Sequence, residues 1–295
     1  MYWRSVLLVL LGACSYGVLS TFVKLAYGAG FAPAEVSGGQ MFFAMASMWL
    51  VALLFSRQAL SSRQWLALIG VGSTSGLTGI CYYQSLQYVP ASIAIVLLFQ
   101  FTWIGVIIEA CMERKRPGGD KMVALVLLMT GTVLSGNFFS ADVAALSIPG
   151  IGFGLLSACT YALFVIFSGK VTAAVHPYTR TAVMLTGAVL VTFAVYPPTF
   201  FINGSLGEGL LVYALPLALF GGVVPTLFFT LGVPQIGGGL ATILGAAELP
   251  MAVIMSSVVL HEAVHALQWI GVGIILLGIA VPELLARIRR TRLHA

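Results

Sequence analysis

The stretch Ala13-Cys14-Ser15-Tyr16 recurs as Ala158-Cys159-Thr160-Tyr161, 145 residues further along the chain. Each copy lies in the interior of a long apolar run. Three identical residues out of four, with threonine in place of serine, could recur by chance in a sequence of this composition. The positions of the two copies and the charges of the loops around them also match, and this agreement indicates an internal repeat.

Two further pairs of stretches agree with that repeat. Residues 90–98 resemble residues 237–245, and residues 128–133 resemble residues 277–281. We therefore expect two related units, a first repeat over residues 1–145 and a second repeat over residues 146–295.

The composition indicates the surroundings in which these units fold. Of the 295 residues, 60% are apolar and only 8% are charged, and the mean hydropathy is +1.04. Soluble domains carry about 25% charged residues. The composition therefore excludes a cytosolic enzyme, a nucleic-acid-binding module and a disordered chain. We expect a protein of the lipid bilayer, with no nucleic acid as partner.

Apolar stretches of about 20 residues are long enough to cross the hydrocarbon core of a bilayer as helices. We predict ten such spans, at residues 4–27, 34–55, 64–86, 90–111, 121–138, 147–169, 179–200, 209–231, 238–260 and 266–287. These spans leave no soluble domain of useful size. The predicted fold class is an all-α polytopic membrane protein.

The basic residues predict the orientation of the spans. Thirteen of the 14 lie at alternate span boundaries: Arg4, Arg57, Arg63, Arg114, Lys115, Arg116, Lys121, Lys170, Arg180, Arg287, Arg289, Arg290 and Arg292. Positive charge is enriched in cytoplasmic loops. The pattern predicts that both termini are cytoplasmic, in a bacterial-type inner membrane.

Lys24 is the one basic residue outside this set. It falls in the outer part of the first span, where its amine can extend to the outer interface or face the outer mouth of a cavity. Glu35 in the next loop is the expected salt-bridge partner.

Two halves of five spans each have a topological consequence. Because five is an odd number, the second half must be inverted in the membrane relative to the first. Inverted repeats related by an axis in the membrane plane are typical of transporters, whose substrate site lies near the midplane.

The sequence resembles the drug/metabolite transporter superfamily. The resemblance rests on Pro90-Ala91-Ser92 at the start of the fourth span, on Glu113 and Glu262 near the ends of the fourth and ninth spans, and on the glycine-rich last span. Within that superfamily the chain is similar to the ten-span EamA-type exporters, including the branch that exports aromatic amino acids. One departure is Thr102, which stands where the family often has a proline, whereas Pro250 keeps the proline in the ninth span.

The resemblance implies a function and a mechanism. It implies secondary export of amino acids, with aromatic ones favoured, by alternating access around a central cavity. Export of drugs, organic cations or other metabolites is the alternative within the same fold. The expected partners are a small-molecule substrate and the bilayer, and we expect a monomer without enzymatic activity, catalytic residues, metal or cofactor.

Glu248 is the first candidate for the substrate site. An ionisable group at mid-bilayer depth costs several kcal/mol unless it is paired or faces water. Glu248 could bind the ammonium group of an amino acid or carry a coupling proton. The alternative is a protonated carboxyl group that is hydrogen-bonded to a neighbouring helix. Gln100, 148 residues earlier, is its expected equivalent in the first half.

Other polar and aromatic residues complete the candidate cavity. The mid-depth polar candidates are Ser15, Tyr16, Ser75 and Tyr161, and the aromatic candidates are Tyr82, Tyr83, Phe99, Trp103 and Phe228. Aromatic rings can stack on a planar substrate or attract a cation. Tyrosine and tryptophan also form interfacial belts, and phenylalanine fills membrane cores, so both roles stay open at this stage.

Three residues are candidates for hinges or gates. Pro250 lacks an N–H group and is expected to free a backbone carbonyl in the preceding turn. Gly76 and Gly222 belong to glycine-rich stretches that let helices approach closely and slide. Static packing of crowded helices would need the same residues.

The stretch His261-Glu262-Ala-Val-His265 matches the HExxH pattern of zinc proteases. Two imidazoles one helical turn apart bind the metal in such sites, and a third ligand is required. The remaining histidines, His176 and His294, belong to the opposite predicted face. An intramembrane zinc hydrolase is therefore the distant alternative.

Overall fold

The protein is described from a computed structural model over residues 2–56, 58–89, 91–136, 147–171, 174–261 and 264–293. These residues form helices and connecting turns, with no strand among them. The helices are α1 (Tyr2–Gly28), α2 (Pro33–Phe55), α3 (Ser62–Tyr88), α4 (Ala91–Leu98), α5 (Phe101–Glu113), α6 (Gly119–Ser135), α7 (Ile148–Lys170), α8 (Pro177–Val195), α9 (Leu210–Ala218), α10 (Val224–Ile236), α11 (Gly238–Gly245), α12 (Glu248–Val259) and α13 (Ala266–Leu293).

Eight helical segments of the described chain are long and apolar enough to cross a membrane. Three of them are composite, because α4 joins α5, α9 joins α10 through a π-helical turn at Leu219–Val223, and α11 joins α12. Two shorter segments accompany them: α6 has 17 residues, and the apolar part of α13 is Ala266–Pro282. The helix bounds agree with the ten predicted stretches to within a few residues, apart from the longer ends of α10 and α13 and the shorter end of α8.

The fourth and ninth predicted spans are both interrupted by a tight turn. In the first half the N–H groups of Gln100 and Thr102 bond to carbonyls three residues earlier. In the second half Ala247 and Leu249 do the same. A bond to the third rather than the fourth preceding residue tightens the helix locally, so each span is divided into two half-helices at mid-length.

The register of these interruptions corrects the predicted equivalence of Gln100 and Glu248. Residues 98 and 101 bound the first interruption, and residues 245 and 248 bound the second, which gives an offset of 147. Gln100 therefore corresponds to Ala247, and Glu248 corresponds to Phe101. The prediction was one residue out because the sequence does not show where the helix tightens.

The predicted free carbonyl before Pro250 is also corrected. Proline cannot donate to the carbonyl four residues earlier, which here is that of Ala246. The N–H group of Leu249 bonds to that carbonyl instead, at 3.3 Å. In the first half Thr102 reinforces the equivalent turn, since its Oγ1 donates to the Phe99 carbonyl at 3.0 Å.

The helix contacts made by one half match those made by the other when the two halves are exchanged. Helix α3 packs on α7 and α8, and its counterparts α9 and α10 pack on α1 and α2. Helix α5 packs on α7, as α12 packs on α1. The pairs α2–α8 and α6–α13 each join an element to its own counterpart. The contacts are those expected of two repeats around a pseudo-two-fold axis.

The HExxH stretch does not lie on a helix in the described chain. Helix α12 ends at Val259 and α13 begins at Ala266, and His261 adopts a positive φ of 53°. Glu262 lies outside the described residues. Because a positive φ interrupts helical geometry, the two imidazoles are not presented one turn apart, and the described part of this connection lacks the arrangement that a zinc protease needs.

Candidate substrate cavity

A cavity of about 360 Å³ lies between α4 and α12 and extends toward the end of the bundle where α1 and α3 end. The residues that line it come from seven helices and the π-helical turn. They are Tyr16, Leu19, Ser20, Val23, Lys24, Tyr27, Ser37, Gln40, Met41, Ser75, Gly76, Thr78, Gly79, Ile80, Tyr82, Tyr83, Leu86, Ile95, Leu98, Phe99, Tyr161, Thr192, Tyr196, Gly221, Glu248, Leu249 and Ala252. Ligand pockets span about 300–1,000 Å³, so this cavity suits a small solute.

Glu248 is the only carboxylate among the described lining residues. It occupies the first position of α12, where the positive end of the helix dipole favours a negative charge. Tyr161 Oη donates a hydrogen bond to Glu248 Oε2 at 3.1 Å. The interruption before α12 therefore brings a carboxylate to the wall of the cavity and provides one donor for it.

The tyrosine that holds Glu248 is itself fixed by aromatic contacts. The ring of Tyr161 lies 4.4 Å from that of Phe101 and packs edge-on against Tyr16 at 5.8 Å. Tyr16 and Tyr161 are the two tyrosines of the repeated motif. The repeat thus places two equivalent tyrosines on either side of the pseudo-two-fold axis. Both lie beside Glu248, the one carboxylate among the described lining residues.

Lys24 is the only lysine or arginine among the described lining residues. Gly17, seven residues earlier on α1, abuts the Glu248 carbonyl so closely that a Cβ there would overlap it. Seven residues correspond to about two helical turns and about 10 Å. Lys24 is therefore on the same face of α1 as Gly17, about 10 Å further toward the open end of the cavity.

Glu35 is held by donors of its own turn and of a distant loop. Its carboxylate accepts hydrogen bonds from Ser205 Oγ at 2.5 Å, from Asn203 Nδ2 and from the Ala32 N–H at 2.7 Å. The carboxylate thereby caps the N-terminus of α2 and ties it to the loop before α9. These donors were missed because the sequence separation conceals their closeness, and the salt bridge with Lys24 stays a prediction.

Two buried hydroxyl groups of the lining have no hydrogen-bond partner within the described part of the chain. They are Tyr27 Oη and Ser37 Oγ. The Tyr83 hydroxyl group lies near both without completing a hydrogen bond to either. Buried polar atoms are normally paired, because an unpaired one costs about 1–3 kcal/mol. A polar solute in the cavity would satisfy them.

Three of the predicted aromatic residues line the cavity. Tyr82 and Tyr83 belong to the second half of α3, with ring centroids 6.1 Å apart, and Phe99 belongs to the interruption after α4. Phe99 is buried. Ser75 and Gly76 also line the cavity, from the preceding turns of α3.

Trp103 and Gln100 face away from the cavity, contrary to prediction. The Trp103 side chain is 37% exposed, and its Nε1 donates to Gln100 Oε1 at 2.6 Å. Residues three apart share one face of a helix, and this face is the outer surface of the bundle. Mid-depth position alone therefore did not determine which way these side chains point.

Ser15 and Phe228 also lie outside the lining. Ser15 Oγ donates to the Phe220 carbonyl at 2.7 Å, while Phe228 packs against α1 at Gly12. The Phe220 carbonyl belongs to the π-helical turn, and the residue five positions later is Pro225, which has no N–H to give. The serine therefore satisfies a backbone group that the proline leaves unpaired.

The same turn explains Gln40, a lining residue that the sequence analysis missed. Its Nε2 donates to the Gly221 carbonyl at 3.4 Å. Gly222, one of the predicted hinge residues, packs against Ala44 of α2, and a Cβ there would overlap the alanine. π-Helical turns often occur at functional sites. Here the π-helical turn contributes Gly221 to the wall of the cavity.

Of the other hinge candidates, Gly76 lines the cavity and also supports helix packing. A Cβ on Gly76 would lie 2.7 Å from the Ala188 carbonyl oxygen of α8. Pro250 is buried in the first turn of α12 and does not line the cavity. Close packing is thus the visible role of these residues.

The opposite end of the bundle is closed by α5 and α11. Glu109 Oε2 and Lys121 Nζ form an ion pair of 2.5 Å, and the carboxylate rests against Gly237 and Gly239 at the start of α11. By exchange of the halves, the α5–α11 pair corresponds to α12 and α4, which make at most marginal contact. The two ends of the bundle therefore differ: α5 packs on α11 at one end, whereas the cavity separates α4 from α12 at the other.

Comparisons with known proteins agree with this architecture. The model of the EamA-like transporter family matches the chain twice, at residues 3–137 and 148–282. The chain is 22% identical to the uncharacterized transporter YcbK of Bacillus subtilis, over 90% of this chain and 88% of the relative. It is 21% identical to the uncharacterized transporter sll1319 of Synechocystis, over 93% and 92% of the two chains.

A solved crystal structure shares the fold. It covers 100% of both chains with a TM-score of 0.75, at 18% sequence identity. The two matches of the family model together span most of the sequence, with one match in each half. The chain therefore belongs to the EamA-like transporter family and is a multi-pass membrane protein.

Proposed function

We propose that the protein is a secondary transporter of small amphoteric metabolites, with aromatic amino acids as the favoured substrates. The observation that carries this proposal is the lining of one cavity by Glu248, Lys24 and several aromatic rings. A carboxylate suits an ammonium group, an amine suits a carboxylate, and the rings suit a planar side chain. An aromatic amino acid has all three groups.

The arrangement along α1 supports the assignment of these roles. Glu248 lies at the inner end of the cavity beside Tyr161, and Lys24 lies about two helical turns further out on α1. A lysine side chain is long and flexible, so its amine can follow a carboxylate that enters from the open end. Tyr27, one helical turn beyond Lys24 on α1, and Ser37 of α2 supply hydroxyl groups, unpaired among the described residues, to the same lining.

The proposed mechanism is alternating access through exchange of conformations between the two halves. In one state α5 packs on α11 while the cavity separates α4 from α12. In the other state α4 would close on α12, and α5 would separate from α11. Inverted repeats allow both states at similar cost, because each half adopts the conformation that the other one had.

The proposed topology has ten spans and cytoplasmic termini, in a bacterial-type inner membrane. Helix α6 and the apolar part of α13 pack on each other as the fifth span of each half, and each follows a half-helix pair. The repeats then correspond to residues 1–145 and 146–295, in agreement with one family match in each. The ends of α1 and α3 face outward in this topology, so the cavity opens to the outside.

Counterflow in proteoliposomes tests the proposed function. Vesicles containing the purified protein are loaded with unlabelled L-phenylalanine, and the uptake of radiolabelled L-phenylalanine is followed. We expect a transient accumulation that protein-free liposomes do not show. An absence of counterflow across all aromatic and aliphatic amino acids would contradict the proposal.

Organic cations are a second candidate class, favoured by the carboxylate and the aromatic rings alone. Phenethylamine differs from phenylalanine only in lacking the carboxylate, so it isolates the contribution of Lys24. If amino acids are the substrates, phenylalanine should inhibit counterflow at lower concentration than phenethylamine, and Lys24→Gln should reduce that difference. Stronger inhibition by phenethylamine in the wild-type protein would favour the organic cations.

A further inference from the structure

Arg180 is a buried cation that the cavity does not use. It lies near the start of α8 and is only 2% exposed. Its Nη2 donates to the Ser168 carbonyl at 2.6 Å, and its Nε has no hydrogen-bond partner within the described residues. No carboxylate of the described chain forms an ion pair with it. Burial of a charge without a counter-ion costs several kcal/mol. A buried arginine that is kept at this cost indicates a functional role.

The neighbouring residue, Thr181, is also buried and also has a polar atom that is unpaired among the described residues. Thr181 is fully buried, and its Oγ1 has no hydrogen-bond partner in the described part of the chain. Two adjacent residues near the start of α8 therefore carry polar groups that are unpaired within the described chain, at the end of the bundle opposite the open end of the cavity. The guanidinium group alone has five N–H donors.

The internal repeat relates this closed region to the outer cavity. Helices α2 and α8 begin with Pro33 and Pro177, an offset of 144, and this offset pairs Ser37 with Thr181 and Val36 with Arg180. In the first half Ser37 lines the cavity, and its hydroxyl group is also unpaired among the described residues. Thr181 is therefore the counterpart of a lining residue.

The contact between Arg180 and Ser168 has a counterpart as well. The offset of 145 between the repeated motifs pairs Val23 of α1 with Ser168 of α7. Val23 and Val36 belong to one apolar cluster, and Val23 lines the cavity. Val36 itself does not line the cavity, so the bond from Arg180 to Ser168 occupies a position in the second half that is next to a lining residue in the first.

We infer that Arg180 is the anion-binding residue of the second vestibule, the one that opens when α5 separates from α11, and that it binds the carboxylate of the substrate there. It would perform on that side the role that Lys24 performs in the outer cavity. The inference rests on the proposed function for its substrate class. The location of the vestibule rests on the repeat alone.

A purely structural account competes with this inference. The Ser168 carbonyl lies in the last turn of α7, where a cation is stabilised by the helix dipole. A cap of this kind needs only one of the five donors and needs no access to solvent. The two accounts differ in whether a reagent in the aqueous phase can reach this region and detect its charge.

Thiol labelling at Thr181 distinguishes them. Thr181→Cys is placed in a background in which Cys14, Cys81, Cys111 and Cys159 are replaced by alanine or serine. Membrane vesicles of each orientation are treated with an anionic methanethiosulfonate (sulfonatoethyl) and with a cationic one (trimethylammonioethyl). We expect labelling from the face opposite the outer cavity, with the anionic reagent favoured.

The charge of Arg180 should determine that preference. One unit charge at about 8 Å contributes about 0.5 kcal/mol even in water, which is roughly a twofold change in rate for each reagent, and the change is opposite in direction for the two reagents. Arg180→Gln should therefore lower the ratio of anionic to cationic labelling at least about fivefold, while Arg180→Lys should preserve it. Ser37→Cys, the matched reporter of the outer cavity, should keep its ratio in both variants.

Two results would overturn the inference. One is the absence of labelling at Thr181→Cys in monodisperse protein. The other is a ratio of anionic to cationic labelling at Thr181→Cys that Arg180→Gln leaves unchanged. Should Arg180→Gln fail to fold, Arg180→Lys against Arg180→Met supplies the comparison.

The substrate class and the anion site can fail separately. A charge effect at Thr181→Cys together with absent phenylalanine counterflow would reject the substrate class alone. Phenylalanine counterflow without the charge effect would reject the anion site alone.

Discussion

Tyr161 Oη donates a hydrogen bond of 3.1 Å to Glu248 Oε2, and this bond joins α7 to the interruption between α11 and α12. Tyr161 belongs to the repeated motif that defines the two halves, and Glu248 is the carboxylate of the described cavity lining. The bond thus connects the pseudo-two-fold axis with the candidate substrate site. Any movement of α12 relative to α7 must lengthen or break it.

Glu248→Gln should abolish or uncouple transport. Glutamine keeps the size of the side chain and an oxygen that can accept from Tyr161, but it has neither a charge nor a titratable proton. A hydrogen bond to a charged group contributes about 1.5–3 kcal/mol, so we expect counterflow to weaken by roughly 10- to 100-fold. The pH dependence of any residual flux should also disappear. Unchanged flux with an unchanged pH profile would show that Glu248 is not used.

Tyr161→Phe should separate the hydrogen bond from the packing. Phenylalanine retains the ring contacts with Phe101 and Tyr16 and removes only the donor to Glu248. We expect the thermal stability of the purified protein to change little and the apparent KM or the rate of counterflow to change severalfold. A loss of stability without any change in transport would assign the bond to the fold alone.

The sequence predicted the helices well and the directions of the side chains poorly. Spans follow from local hydropathy, because the length of an apolar helix must match the bilayer. The side of a helix that faces a cavity depends on contacts with other helices, which a single sequence does not show. Phe99 and Trp103 illustrate this, since they lie one turn apart and only Phe99 lines the cavity.

Charged residues show the same limit. Arg180 fits the cytoplasmic set by its position in the sequence, and a buried role could not be inferred from that position. Glu109 and Lys121 lie 12 residues apart on successive helices, and their ion pair lies beside the start of α11. The short turn between α5 and α6 makes such a pair predictable from the sequence, but the burial of Glu109 against α11 does not follow from it.

Tyr82→Ala should weaken the affinity for an aromatic substrate, whereas Trp103→Phe should not. Tyr82 lines the cavity, and Trp103 lies on the outer surface of the bundle. An aromatic contact contributes about 0.5–1.5 kcal/mol beyond its buried area, which predicts an increase in KM of at least about twofold for Tyr82→Ala. Equal effects of the two substitutions on the KM for phenylalanine would contradict the assignment of the cavity wall.

Gly72→Ala should destabilise the protein, and Gly70→Ala is its matched control on the same helix. A Cβ on Gly72 would overlap the Met184 carbonyl oxygen of α8, whereas a Cβ on Gly70 meets nothing within 4 Å. Backbone atoms cannot move aside as a flexible side chain can, and overpacking costs about 1–3 kcal/mol. The midpoint of thermal unfolding in detergent should fall by several degrees for Gly72→Ala and stay level or rise for Gly70→Ala. A similar midpoint for both variants would show that α3 and α8 are less closely packed.

A crosslink between α5 and α11 should stop transport reversibly. A Cβ on Gly105 would lie 2.9 Å from Thr242 Cβ, and its tightest contact is with the threonine methyl group, which Thr242→Cys removes. Disulfides need Cβ atoms about 3.5–4.5 Å apart, so a small outward shift of one helix accommodates the bond in the Gly105→Cys/Thr242→Cys protein. If α5 must separate from α11 during transport, oxidation should abolish counterflow and a reducing agent should restore it. Each single variant, treated with the same oxidant, should remain active. Full activity of the quantitatively crosslinked protein would mean that this end of the bundle stays closed throughout the cycle.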